Sequence, residues 1–327
     1  VSWDGSSGPL QGKMEIKSGG TLRVEGDVTL NSLSSFQNSG ALHSGSYIDT
    51  SFQYDNTEVT TLAGKLNHYA DGTGENGEFR YPGKIVRIGT DLYVADDYRF
   101  RKVDPATGAV VTIQTSGDSY SYIDRLTSDG TDIYFSSYVS GGNSSGYKLF
   151  KLSLADGVVS MLDLVDDTGN TYSIGNSIIG LASDGTNLFV AVSTSPKTFL
   201  RISLQTGLVT PYTTGGVTLP WFNGMEKIGD SLFASSSSSI YEIELSGSSA
   251  TVSTLSLSGI DNSTSVNFDK MTSSGNSLYL TGSSTNSPMY RVNLVEGGSG
   301  VTTGETTLIE PSFTAASYYN TGTEVQL

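Results

Sequence analysis

The chain has 327 residues, with 33 Asp and Glu against 18 Lys and Arg, a net charge of −15 and no cysteine. That charge disfavours a phosphate backbone or an anionic lipid surface as partner, which argues against nucleic acid and membrane insertion. Missing thiols exclude disulfides, thiolate zinc sites and cysteine nucleophiles.

Residues 1–46 read as an extension rich in Gly, Ser and Asn. Stretches at 14–16, 21–24 and 28–30 alternate as strands do, broken at Gly19-Gly20 and Gly26-Asp27. Three short strands with so few apolar side chains bury too little surface to fold alone. Trp3, Ile16, Leu22, Val24, Val28 and Leu30 are therefore the candidate interaction residues of an arm that docks on something else. An opening Val1 in place of Met fits a removed leader and a secreted or cell-surface setting.

From residue 47 onward the pattern changes. Residues 51–55, around Phe52, and 58–62, with Val59 and Leu62, read as two consecutive strands. A phrase then recurs: Gly-Thr-Asp-Leu-Tyr-Val at 89–94, Gly-Thr-Asp-Ile-Tyr-Phe at 130–135, Gly-Thr-Asn-Leu-Phe-Val at 185–190, Gly-Asp-Ser-Leu-Phe-Ala at 229–234, Gly-Asn-Ser-Leu-Tyr-Leu at 275–280 and Gly-Thr-Glu-Val-Gln-Leu at 322–327. A spacing of about 40–55 residues, built from short strands and tight turns, is the signature of propeller blades. The second repeat serves as template, with strands a to d expected at 123–127, 133–136, 148–152 and 158–162. Asp156-Gly157 supplies a hairpin turn, since Gly accepts positive φ. Strand c recurs at 100–103, 199–202, 240–243 and 289–292, and strand d at 110–113, 209–212, 252–255 and 306–309. Pro211 fits strand d only if that strand is the outer edge, where a missing N–H breaks no ladder.

The sixth copy stops after strand b. Its partners are expected at the other end of the domain, with Phe52, Val59 and Leu62 completing the sheet of Val325 and Leu327. The expected architecture is all-β: a six-bladed β-propeller over 47–327, its last blade closed by N- and C-terminal strands, plus the N-terminal β-rich extension. A five-bladed ring with decorated ends is the alternative.

Within this frame, residues 59–64 (Val-Thr-Thr-Leu-Ala-Gly), 70–74 (Ala-Asp-Gly-Thr-Gly), Phe79, Pro82-Gly83, 92–96 (Leu-Tyr-Val-Ala-Asp) and 99–103 (Arg-Phe-Arg-Lys-Val) resemble the NHL-repeat family of β-propellers. The resemblance is close over one repeat, and the other repeats keep its turn and strand pattern. It implies six blades around a central channel, with loops on one face binding protein, peptide, sugar or nucleic acid. The RNA-binding members are basic on that face, whereas this chain is acidic. The extension is similar to the short-strand repeats of secreted adhesins.

Chemistry-bearing motifs are sparse. Only His43 and His68 are present, too few for the zinc centre of amidating-lyase propellers. Serines are plentiful, yet no Gly-x-Ser-x-Gly elbow or base partner accompanies them. No catalytic residue and no cofactor is assigned. A structural Ca2+ on Asp71, Glu75 and Glu78 is the alternative to a plain turn, because the 71–78 loop places oxygen ligands at close intervals. Asp96-Asp97 and Asp166-Asp167 read as loop tips or cation sites. Most of the 18 tyrosines fall at strand positions. Tyr69, Tyr81, Tyr98, Tyr120, Tyr122, Tyr138, Tyr172 and Trp221 fall outside them, as residues of a binding face would.

Three functions follow. The first is a non-catalytic secreted structural or interaction protein whose arm adds strands to a neighbouring copy and builds a surface polymer. Its partner is then self or another surface protein or glycan. The second is a glycan- or protein-binding, adhesin-like propeller. The third is a Ca2+-dependent lyase or hydrolase.

Overall fold

The computed structural model describes residues 62–64, 69–140, 145–194, 197–214, 217, 219–258, 268–282, 289–296 and 302–309. The chain divides into two compact units, Val1–Asp55 and Asn56–Leu327, and every described residue belongs to the second.

The described residues form five mainly antiparallel sheets arranged as a β-propeller. Blade 1 holds β1 (Gly72–Thr73), β2 (Pro82–Ile88), β3 (Asp91–Asp96), β4 (Arg99–Asp104) and β5 (Ala109–Thr112). Blade 2 holds β6 (Ser116–Gly117), β7 (Arg125–Ser128), β8 (Ile133–Val139), β9 (Gly146–Leu152) and β10 (Val158–Met161). Blade 3 holds β11 (Ile178–Ser183), β12 (Asn187–Val192), β13 (Thr198–Ser203) and β14 (Val209–Tyr212). Blade 4 holds β15 (Gly224–Ile228), β16 (Ser231–Ser235), β17 (Ile240–Ser246) and β18 (Ser249–Thr254). Blade 5 holds β19 (Ser256–Ser258), β20 (Phe268–Ser274), β21 (Ser277–Gly282), β22 (Met289–Glu296) and β23 (Thr302–Ile309). In each blade four consecutive strands pair in order, as expected.

The inner strands abut in sequence, β2 on β7, β7 on β11, β11 on β15 and β15 on β20. All five line a central cavity of about 170 Å³, through residues such as Ile85, Thr127, Leu181, Met225 and Thr272. The blade count departs from expectation: five sheets are described where six were predicted. Phe52, Val59, Val325 and Leu327, on which the shared blade depends, lie outside the described residues, as do Trp3, Ile16, Leu22, Val24, Val28 and Leu30.

Apolar side chains pack across neighbouring blades as well as within them. Phe100 of blade 1 meets Phe135 of blade 2 edge-on at 5.1 Å, and Phe135 stacks on Phe150 at 5.2 Å. Leu149 and Tyr134 of blade 2 pack with Leu188 and Leu200 of blade 3, and Phe199 of blade 3 packs with Leu232 and Ile243 of blade 4. Burial of this kind supplies most of the stabilisation of such a ring, on the order of 1.5–3 kcal/mol per large apolar side chain.

The recurring phrase has a second ingredient besides glycine. Asp129 Oδ1 accepts from the backbone N–H of Thr131 and Asp132 at 2.8 and 2.7 Å, and Asp184 Oδ1 does the same for Thr186 and Asn187 at 2.8 and 2.7 Å. These carboxylates tie the a–b turns shut by mimicking a backbone acceptor.

Consecutive blades are also stitched along their outer edges. After leaving blade 1 the chain pairs in parallel with the next outer strand, β6 on β10. Val165 repeats this on Leu208, Thr213 on Ser249, and β19 on β23. Strand d is therefore partly covered rather than a bare edge. Pro211 remains tolerated: Val209 donates outward to Val165 O at 2.8 Å, so the missing N–H two residues on also faces away from β13. The stitch demands glycine at Gly157 (φ 73) and Gly207 (φ 71). An added Cβ would lie 2.4 Å from Gln114 O and 2.0 Å from Asp163 O respectively. Leu62 O approaches Gly108 in the same manner, at 2.5 Å from an added Cβ.

Candidate binding site

The loop at 70–81 begins the site, and its cation is part of the protein. Arg101, on β4, is fully buried. Its Nη1 donates to Glu78 O at 2.8 Å and Asp96 Oδ2 at 3.2 Å, and its Nη2 to Ala70 O at 2.7 Å and Asp71 Oδ1 at 3.1 Å. Asp71 Oδ1 accepts further from Thr112 N at 2.8 Å and Thr112 Oγ1 at 2.7 Å. Against a desolvation cost, these donors hold the Asp71 carboxyl below the usual carboxylate range. Of the calcium-like pattern, Asp71 gives its carboxylate and Glu78 its backbone carbonyl to the Arg101 guanidinium. Among the described residues no group of three or more His, Asp or Glu side chains could hold a metal.

Asp96 extends the knot. Arg80 N donates to its Oδ1 at 2.9 Å and Tyr81 N at 2.6 Å. Burial pushes the Asp96 carboxyl above its ordinary value, opposed by these amides and by Arg101. Together Arg101 and Asp96 hold the loop that carries Arg80 and Tyr81 to the protein surface.

Next to it Asp97 turns the chain between β3 and β4. With φ 63, it is the one non-glycine in the left-handed region among the described residues. Such strain concentrates at functional sites. Three contacts hold it: Asp97 N donates to Tyr81 O at 3.2 Å, its carbonyl accepts from Ile123 N at 3.2 Å, and its Oδ2 accepts from Tyr69 Oη at 2.9 Å. Blades 1 and 2 meet here.

Between them opens a cleft of about 610 Å³ whose walls include Asp97, Tyr98, Thr115, Asp118, Tyr120 and Tyr122. A band of aromatic rings crosses it. Tyr69 lies 6.0 Å from Tyr98; beyond the cleft, Tyr122 Oη meets Tyr147 Oη at 2.9 Å, and the Tyr147 ring meets Tyr138 edge-on at 5.6 Å. Tyr81, Tyr98, Tyr122 and Tyr138 are exposed. Two guanidiniums sit among the rings: Arg99 lies 4.0 Å above Tyr69, and Arg80 lies 5.2 Å from Tyr81 and 5.7 Å from Tyr69. Burial and the bond to Asp97 push the Tyr69 phenol up to about 12.

Not every off-pattern aromatic joins the band. Tyr120 packs inward against Phe100 and Phe135, leaving its Oη to donate to Tyr98 O at 3.1 Å. Tyr172 packs on the core between blades 2 and 3. Trp221 is exposed beside Lys197 at the start of blade 4. Asp166 caps its own turn through Thr168 and Asn170. Arg80, Arg99 and Arg101 carried no sequence signal of their own, since nothing in a strand pattern marks the loop a basic residue reaches. Tyr147, one residue before the expected strand c, is not among the off-pattern aromatics. His43 and His68 lie outside the described residues.

No family model matches the sequence, and no curated protein is significantly similar to it. Among solved structures, the chain is similar to a candidate 6-phosphogluconolactonase from Bacteroides fragilis. That match has 11% identity and a TM-score of 0.44, covering 72% of this chain and 73% of the other. It is also similar to a hypothetical selenium-binding protein from Sulfolobus tokodaii, with 9% identity and a TM-score of 0.47, covering 70% and 66%.

Proposed function

We propose that this chain is a non-catalytic interaction protein, a propeller that binds a polyhydroxylated ligand, a glycan, in the cleft between blades 1 and 2. One observation carries the reading: exposed tyrosine rings flank an open cleft lined also by Thr115, Ser119 and Ser121. Flat rings cover the C–H faces of a sugar while short polar groups meet its hydroxyls. The strained but firmly held Asp97 supports the same location. Blade 1 is also the repeat that resembles the NHL propellers, whose loops bind on one face. The test is a glycan array with the full chain and its Tyr98→Ala and Tyr122→Ala variants. Binding by the parent that falls at least about tenfold in either variant, with unchanged melting temperature, supports the reading. Silence across the array, or full binding by both variants, overturns it.

Strand addition by residues 1–46 to a neighbouring copy is a second reading. It is favoured by the outer edge of β18, which carries one bridge, Thr213 to Ser249, and leaves Thr251, Ser253 and Thr254 exposed. Sedimentation of the full chain against its Leu22→Asp and Val24→Asp variants tests it. Equal monomeric behaviour of all three ends this reading.

A further inference from the structure

We propose that the ligand of the blade 1–2 cleft is an acidic glycan, whose carboxylate or sulfate groups are recognised by Arg80 and Arg99. This rests on the glycan reading above and names its chemical class.

The argument begins with charge accounting. In a chain with 33 carboxylate side chains against 18 cationic ones, basic groups should find acidic neighbours easily. Several do: Lys102 pairs with Asp91 at 2.7 Å, Lys151 with Asp132 at 2.7 Å, and Arg125 with Asp124 at 3.0 Å. Arg80 and Arg99 form no ion pair among the described residues. They lie instead against tyrosine rings, and Arg99 Nη2 reaches only the Tyr98 hydroxyl, at 3.5 Å. Arg80 is also held by the Tyr69 and Tyr81 hydroxyls, which are neutral partners, so its charge is left uncompensated and its remaining N–H groups can meet an oxyanion.

Nearby carboxylates keep their charge but make their hydrogen bonds to groups other than these two arginines. Asp97 Oδ2 accepts from Tyr69 Oη, Asp118 Oδ2 from Met161 N at 2.7 Å, and both Asp96 oxygens are taken by backbone N–H groups and Arg101. The two guanidiniums, without a direct ion pair, stand together beside Tyr69, Tyr81 and Tyr98, at the edge of a cleft whose own lining carries Asp97 and Asp118. A neutral sugar needs no such pair. An acidic peptide would meet the same guanidiniums but would leave the row of exposed rings without saccharide faces to cover.

The experiment measures binding of the full chain to four probes by calorimetry at low salt: oligogalacturonate (carboxylate), dextran sulfate (sulfate), unmodified dextran, and poly-glutamate. The parent should bind at least one of the first two, and dextran at least about tenfold more weakly. Arg80→Gln should lose about tenfold of that affinity, Arg80→Lys should lose less, and both should melt as the parent does, since Arg80 is exposed. Whichever acidic probe binds identifies the anion. Equal binding of dextran and its sulfate overturns the acidic class while leaving the glycan reading standing. Binding of poly-glutamate alone, or of no probe, overturns both, and undiminished binding by Arg80→Gln overturns the assignment to this arginine pair.

Discussion

Arg101 Nη1 lies 3.2 Å from Asp96 Oδ2, and neither side chain exposes any surface. Arg101 reaches four separate oxygens across the 70–81 loop and β3, so removing it would strand a buried carboxylate and release the loop together. Arg101→Met is expected to cost about 3–5 kcal/mol, the usual penalty for breaking a buried pair by removing one partner. Arg101→Lys should recover only part of this, because an ammonium cannot span the same fork. Urea denaturation of the three proteins measures it. A loss below about 1 kcal/mol for Arg101→Met would mean the knot is incidental.

The same geometry predicts the response to metal. Asp71 Oδ1 is already engaged by Arg101 and by two donors of Thr112. Neither added Ca2+ nor a chelator should move the melting temperature of the propeller through this loop. Specific Ca2+ binding would raise it by mass action. A Ca2+-dependent rise that disappears in Asp71→Asn would show that the loop takes the ion after all.

Much of the scaffold was legible because turn chemistry and strand period repeat. Every described strand c and d falls where the spacing of glycine and apolar triplets put it, and Pro211 faces the side its missing N–H requires. The outer stitches were not legible. A pair such as Ser116–Gly117 has no pattern of its own and is specified by what it lies against. The cleft proposed to bind was half legible. Tyr81, Tyr98, Tyr122 and Tyr138 stood out by lying off the strand pattern, but the same criterion also picked Tyr120 and Tyr172, which turn inward. Asp71 has a partner that its own loop does not mark: its carboxylate meets the guanidinium of Arg101, 30 residues away, and whether the 71–78 loop also takes Ca2+ is what the melting experiment decides.

Gly207 offers a cleaner stability test than any core residue. An alanine there meets both a positive φ of 71° and a carbonyl oxygen 2.0 Å from its Cβ. Gly130, at φ 91, has open space around it. Gly130→Ala should therefore cost about 1 kcal/mol from backbone conformation alone. Gly207→Ala should cost about 2–4 kcal/mol, because the stitch between blades 2 and 3 must also move. Similar losses in the two variants would show that the close approach at Asp163 yields without cost.

The tyrosines set the alkaline limit of the fold. Tyr69 is pushed up to about 12 by burial and its bond to Asp97, and the exposed Tyr122 to about 12, chiefly by its hydrogen bond with Tyr147. Tyr134 moves in the same direction, through burial and its bond to Asp129. In the unfolded chain these phenols ionise near pH 10. Below that value both states hold the proton and the stabilisation is fully present. Between about pH 10 and 12 the unfolded chain releases protons that the folded one retains, so stability falls as pH rises. Urea midpoints should hold steady up to about pH 9.5 and then drop steeply. Tyr134→Phe should start lower at neutral pH, by about 1 kcal/mol for the lost Asp129 bond, and fall less steeply above pH 10. A parent midpoint that stays level to about pH 11.5 would place these hydroxyls in ordinary solvent and dissolve the ordered tyrosine band on which the binding cleft depends.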